Sequence, residues 1–188
     1  MSSNLKEYFS VVDEEDTVIG KETRAECHRC KLIHRSVYIF VINYKNELFL
    51  QKRSESKDLY PGYYTGSATG HFNHEETYDQ AAQRELFEEL GITAPVTRIC
   101  KFKSFSEIEK EFSTLYVCHY DGEIAINTKE ISYGVFLPLP QVKAELESGR
   151  KHFASGFKIA FSEYLAYLTD MKKRELKSLW TQKHSEHH

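Results

Sequence analysis

Apolar positions along this chain recur with two different periods. Phe9–Val12 and Thr17–Gly20 are short apolar-rich runs on either side of the acidic turn Asp13-Glu14-Glu15-Asp16, which predicts a hairpin. Glu22–Lys31 is polar and reads as a helical turn or a loop. Ser36–Asn43 is rich in Val, Ile, Tyr and Phe, as a buried strand is, and the Lys45-Asn46 turn leads into a second strand, Leu48–Arg53. Pro61-Gly62 marks residues 58–64 as a loop. At Thr77 the period lengthens. Ala82, Leu86 and Leu90 recur at i, i+4 and i+8, Thr77 with Gln80 forms a capping box, and Gly91 supplies the stop. Strands return at Ile99–Phe105, Phe112–His119 and Val135–Leu139, the second of them paired with its neighbour. The run Leu137-Pro138-Leu139-Pro140 ends the sheet, Gln141–Glu147 reads as a short helix, and Phe157–Leu168 as a longer amphipathic one. This order predicts an α/β fold with a mixed sheet flanked by helices.

Composition narrows the picture. A chain of 188 residues is long enough for one well-cored domain. No apolar run approaches the roughly 18 residues of a membrane span, and Met1–Tyr8 lacks the apolar stretch of a secretory signal. A cytoplasmic protein is expected, and therefore no disulfide framework from Cys27, Cys30, Cys100 and Cys118. A formal net charge of −3 offers no electrostatic case for a nucleic-acid or membrane partner. The basic stretch Met171–Arg174 reads as a solvated helix face, and Ser185–His188 carries no assigned role.

The chemistry lies on the capped helix. Glu85, Glu88 and Glu89 are spaced i+3 and i+4, so their carboxylates share one face, expected to look toward solvent. Carboxylates gathered this closely repel one another. A hard cation such as Mg²⁺ removes the repulsion, and it can offset charge on diphosphate oxygens and lower the pKa of a water. Arg84 cannot bind a metal; its role is to pair with a glutamate, Glu76 being in reach, and hold the carboxylates in place. Gly70 is read as the end of a strand where the backbone turns tightly and frees its carbonyl toward the metal. An acidic helix face can be mere solvated surface; Gly70, Glu76, Arg84 and Gly91 in register argue against that.

The segment 70–92, GHFNHEETYDQAAQRELFEELGI, resembles the Nudix box, G-x5-E-x7-R-E-U-x-E-E-x-G-U with U aliphatic, at every position. The resemblance implies a Nudix fold, an α/β/α sandwich with a central mixed sheet and the box as a loop-helix-loop. It also implies a pyrophosphatase-type hydrolase cleaving the diphosphate linkage of a nucleoside diphosphate derivative or related small molecule. By the same resemblance Gly70, Glu85, Glu88 and Glu89 hold Mg²⁺ or Mn²⁺, Arg84 belongs to the catalytic set, and the general base is a box glutamate or one outside it, such as Glu130. The family is commonly dimeric, so a homodimer is a further expectation. The divisions expected are strands and a loop over 1–32, the hydrolase domain over 33–166, and a helix end with a tail over 167–188.

Beyond the box, His34 to Gly62 and Gly149 to Ala160 are similar to the isopentenyl diphosphate isomerase branch of the superfamily. That branch binds a second metal through histidines and glutamates. His34, His71, Glu109 and Glu111 match four of those positions, while Cys27, with His28 beside it, stands where the first histidine belongs. The alternating Glu109 and Glu111 are expected to point to one face of a strand. A separate zinc site in Cys27-His28-Arg29-Cys30 with His34 offers two cysteines and a histidine but no fourth ligand nearby, and is the weaker reading. Thr69 stands where the isomerase needs a cysteine, and the box is intact where isomerases tend to have a degenerate one. Both facts favour hydrolysis over isomerisation.

Overall fold

The computed structural model describes residues 7–185. The chain's first six residues and the last three histidine-rich ones, including most of the Ser185–His188 tail, lie outside the described residues. The elements are β1 (Tyr8–Val12), β2 (Val18–Thr23), α1 (Arg24–Cys30), β3 (His34–Ile42), β4 (Glu47–Arg53), β5 (Tyr64–Thr65), β6 (Ala68–His71), α2 (Tyr78–Leu90), β7 (Thr97–Phe105), β8 (Lys110–His119), β9 (Ile131–Pro138), α3 (Leu139–Ser148) and α4 (Ser155–Ser185). Of the elements read from the pattern, two differ. Glu22–Lys31 is the end of a strand plus a helix capped by the Thr23 hydroxyl, and the last helix runs on past Leu168 to Ser185. The apolar stripe stops near Leu168, but Lys, Arg and Glu are good helix formers and carry the helix onward, exposed over residues 169–178.

β1 and β2 form the expected hairpin, a sheet of their own. The other seven strands make one mixed sheet in the order β5-β4-β3-β8-β7, with β6 on β3 and β9 on β4. β3 and β8 run parallel from His34↔Glu111 to Ile42↔His119. β3 is buried on both faces, which explains its continuous apolar run. Tyr38, Phe40 and Ile42 pack toward α4 with Phe157 and Phe161, while Val37, Ile39 and Val41 pack toward α2 with Ala82, Leu86 and Leu90. The result is an α/β/α sandwich. No helix of the described residues is long and apolar enough to cross a membrane.

One feature of the sheet makes room for a site. β3 pairs with β4 only at Ile42↔Leu48 and then with β6 over Ser36–Ile39. β4 therefore diverges from β3, and the Ser67 hydroxyl spans the split, accepting from Val41 N (2.7 Å) and donating to Phe49 O (2.6 Å).

The hairpin is tied down by Asp16, which sits in the left-handed region (φ 65°) at its turn. Its carboxylate accepts from Arg35 Nε (2.6 Å), Tyr78 OH (3.0 Å) and Lys101 Nζ, linking β3, α2 and β7. Burial would raise this carboxyl, but Lys101, Arg35 and Tyr78 outweigh burial and hold it below its usual value. Its stabilising contribution is therefore complete above the unfolded carboxylate range and lost as pH falls through the lower folded value. Asp16→Asn keeps the tolerance for a positive φ and removes the charge. Chemical denaturation should show it less stable than wild type by about 1–3 kcal/mol at pH 7, with the gap narrowing as pH falls below the ordinary carboxylate range. A gap independent of pH would assign the stabilisation to backbone geometry instead.

Candidate active site

The split in the sheet opens into a cavity of about 290 Å³ lined by Thr69, Gly70, Glu85, Glu88, Glu89 and Glu111, with Arg24, Arg53, Lys57 and Glu130 among the charged groups around it. α2 supplies one wall. Its capping box is formed as expected: Gln80 N donates to Thr77 Oγ1 and Thr77 N to Gln80 Oε1, and Gly91 ends it at φ 68°.

Arg84 organises that wall. Its Nε and Nη2 form a bidentate pair with Glu76 (both 2.8 Å), Nη1 donates to Glu85 Oε1 (2.6 Å) and Glu88 Oε2 (3.0 Å), and Nη2 also donates to His71 O (2.8 Å). These five bonds match the five N–H groups of a guanidinium, so none is left for substrate. The Arg84 contacts are those of a side chain that holds the carboxylates in place, as its position beside them led one to expect.

The three carboxylates do share one wall of the cavity, but they do not all face solvent. The Glu88 side chain is 54% exposed, Glu85 only 12%. Glu89 is buried, its Oε2 accepting from Gln51 Nε2 (2.7 Å) and Thr69 N (3.1 Å). Glu89 lies inward because α2 packs on the sheet, and the pocket reaches it only through the split beside β4. Burial, followed by repulsion from Glu89, raises the Glu85 carboxyl well above its ordinary range, and burial does the same to Glu89. Oxygen donors crowded and desolvated in this way suit a hard divalent cation, so the donor set fits the group.

Gly70 is needed here for a different reason than a tight turn. It pairs with Val37 inside β6 and is not among the positive-φ glycines. A Cβ on it would lie 1.9 Å from the Glu85 carboxyl carbon. The glycine lets the Glu85 carboxylate come up against the strand.

A second cluster lies where α1 and the strand ends meet. Ring nitrogens of His28, His34 and His71 lie within 4.8 Å of one another. His34 Nδ1 donates to Leu32 O (2.8 Å), and Glu111 Oε1 lies 3.5 Å from His34 Nε2. That atom and His28 Nε2 are buried with no hydrogen-bond partner. His71 Nε2 donates to Glu111 Oε1 (2.9 Å), and its Nδ1 accepts from Arg24 Nη1 (3.3 Å). Burial pushes the His71 imidazole down to about 3, which keeps it neutral. Burial alone would raise Glu111, but His71 and His34 beside it hold it well below the carboxylate range. Phe9 of the hairpin roofs the cluster, stacked on His71 (4.8 Å) and His34 (5.4 Å).

The structure brings His34 and His71 together and adds His28 to them. His28 and not Cys27 faces the cluster; Cys27 packs with Phe9 and Val11, where burial pushes its thiol up to about 11. Cys30 is exposed against Glu26, so the alternative zinc site is not assembled. Arg24 and His28 stand i, i+4 on α1, the spacing that could have revealed them had residues 24–30 been read as helix. Glu109 lines the same cavity as Glu111. It precedes β8, and its Oε1 accepts from Ser104 (3.1 Å) and Ser155 (2.7 Å). Glu130 lines the cavity in an ion pair with Lys57. Arg53 uses only Nε within the protein, on Leu59 O (3.0 Å); among the described residues its terminal nitrogens have no acceptor.

The cavity thus sets a wall of carboxylates opposite cationic side chains in an α/β/α sandwich. The NUDIX domain matches residues 32–157. The chain is 30% identical over 159 residues to "Isopentenyl-diphosphate Delta-isomerase 2" of Photorhabdus laumondii, covering 82% of this chain and 90% of that protein. It is 34% identical over 108 residues to "Prenyl-diphosphate phosphatase" of Methanosarcina mazei, covering 57% of this chain and 63% of that one. A crystal structure of a Deinococcus radiodurans protein superposes with a TM-score of 0.75 at 26% identity, over 84% of this chain and 99% of that one. The chain belongs to the NUDIX family, and its domain match, relatives and fold make it a Nudix hydrolase. The chemistry of that family depends on divalent metal.

Proposed function

We propose that this protein hydrolyses the diphosphate linkage of a small molecule, with Mg²⁺ or Mn²⁺ held by Glu85, Glu88, Glu89 and the Gly70 carbonyl. The observation that carries this reading is the carboxylate wall: three glutamates gathered at one cavity, clamped by Arg84 and given room by Gly70. When bound, the metal supplies charge neutralisation for the diphosphate and an acidified water. The chain's own residues do the rest. Arg53, with terminal nitrogens free, and Lys57 offer cations to phosphate oxygens at the cavity wall. Glu130 serves as proton acceptor once substrate phosphate draws Lys57 away from it. Residues 33–166 form the hydrolase unit, the described part of 1–32 closes one wall through Phe9 and Arg24, and the described part of 167–188 extends α4 to Ser185. The protein works in the cytoplasm on free small molecules, and a homodimer is the assembly we propose. The test is a panel of nucleotide sugars, dinucleotides, nucleoside triphosphates and isoprenoid diphosphates with Mg²⁺ and with Mn²⁺. Release of phosphate or pyrophosphate from none of them would sink the reading.

The second reading, an isomerase acting on an isoprenoid diphosphate, has one observation in its favour. The orphaned nitrogens of His28 and His34, with His71 and Glu111, fit a transition metal, and imidazole donors of this kind select one. Against it, Thr69 lines the cavity in the place of the thiol, and none of the four cysteines lines it. A threonine hydroxyl does not ionise near neutrality, so a factor of roughly 10² to 10⁴ from a positioned proton donor is missing. Wild type should incorporate no deuterium from solvent into isopentenyl diphosphate above background, as read by mass spectrometry. Robust exchange would promote this second reading over the first.

A further inference from the structure

Gln51 is a polar residue in an apolar position. On β4, Leu48 and Leu50 pack toward α4 while Phe49 packs toward α2, and Gln51, on the Phe49 side, is only 1% exposed. Burying an amide there costs stability unless its hydrogen bonds are made. Its amino group makes two, to Glu89 Oε2 (2.7 Å) and to Ser67 O (3.3 Å), an acceptor on the link between β5 and β6. The two acceptors fix which way the amide points. Flipped, it would set its oxygen against both a carboxylate and a carbonyl. Thr69 N donates to the same Glu89 oxygen, so both protein donors converge on Oε2 and Oε1 accepts from neither.

We propose that Gln51 is a positioning residue for the box metal, acting through Glu89. It pins Oε2, so that Oε1 is left to be presented to the cation. The proposal rests on the reading of Glu85, Glu88 and Glu89 as the metal wall. Nothing in the box motif points to it, because Gln51 lies outside the motif and reaches it only through the sheet.

The experiment uses Gln51→Met, close in shape but without donors, and Gln51→Asn, which keeps the amide but withdraws it. Mn²⁺ is titrated into chelator-treated protein, without substrate, and followed by electron paramagnetic resonance; Glu89→Gln identifies which binding component belongs to the box. Both Gln51 variants should weaken that component about tenfold or more, and kcat should fall by a similar factor with KM within about twofold. The double variant Gln51→Met/Glu89→Gln should bind no more weakly than Glu89→Gln alone, because the two residues act as one unit. A merely structural Gln51 gives additive losses or unchanged Mn²⁺ affinity, and either result overturns the proposal. If Glu89→Gln removes no Mn²⁺ component, the metal wall falls and the proposal with it. If Glu89→Gln removes it while the Gln51 variants do not, only Gln51 loses its role.

Discussion

Glu85→Gln is expected to lower the rate of diphosphate hydrolysis more than a hundredfold, about 3 kcal/mol of transition-state stabilisation, while leaving the melting temperature unchanged or raised. Both halves follow from the same geometry. The Glu85 side chain is nearly buried, lies beside Glu89, and has its charge offset by Arg84 Nη1 at 2.6 Å. In the absence of a cation its ionised form is penalised by burial and by its neighbour, so a neutral isostere removes a destabilising term from the fold. With a cation, the lost charge is the one that binds it. Steady-state kinetics over a Mg²⁺ series and thermal melting of the same preparation check this. A variant that hydrolyses as fast as wild type would remove Glu85 from the metal wall.

Gly70→Ala should have a comparable effect on rate through a single methyl group. The added carbon would stand 1.9 Å from the Glu85 carboxyl carbon and 2.0 Å from Oε1, far inside any contact distance. The backbone of Gly70 is ordinary β-strand, so the alanine carries no conformational strain. What must move is the free end of the Glu85 side chain, and that is feasible in a folded protein. The expected result is therefore a stable protein with hydrolysis reduced about a hundredfold and weakened Mg²⁺ dependence. Normal activity in a folded Gly70→Ala would show that Glu85 need not occupy this position. Unfolding would show that the Glu85 side chain cannot move aside for the added methyl.

Much of this site was legible because the helix carries it. A period of about 3.6 residues places Glu85, Glu88 and Glu89 on one face of any helix, and the capping signals at Thr77, Gln80 and Gly91 bound that helix from within a few residues. The partnership of Arg84 with Glu76 was legible too, since both belong to the one motif. The strands of the sheet were visible for a similar reason: β3 buried on two faces demands an unbroken apolar run, and the sequence has one.

What escaped the sequence involves residues brought together from distant parts of the chain. Cys27 and His28 are adjacent, and only the rotation of α1 against the hairpin decides which meets His34 and His71; burial of Cys27 against Phe9 and Val11 selects His28. Glu109 and Glu111 satisfy the alternation of a strand and line one cavity, but the Ser104 and Ser155 hydroxyls that hold Glu109 come from segments no local pattern joins to it. Gln51 meets Glu89 across 38 positions of sequence because β4 leaves β3 where β6 takes its place. By itself, then, the sequence determined the family, the helix and its carboxylate face, because those depend on local periodicity. The tertiary structure alone decided which carboxylate is buried, which histidine faces the second cluster and why position 70 must be glycine. Those outcomes depend on packing distances between segments, which no local pattern encodes.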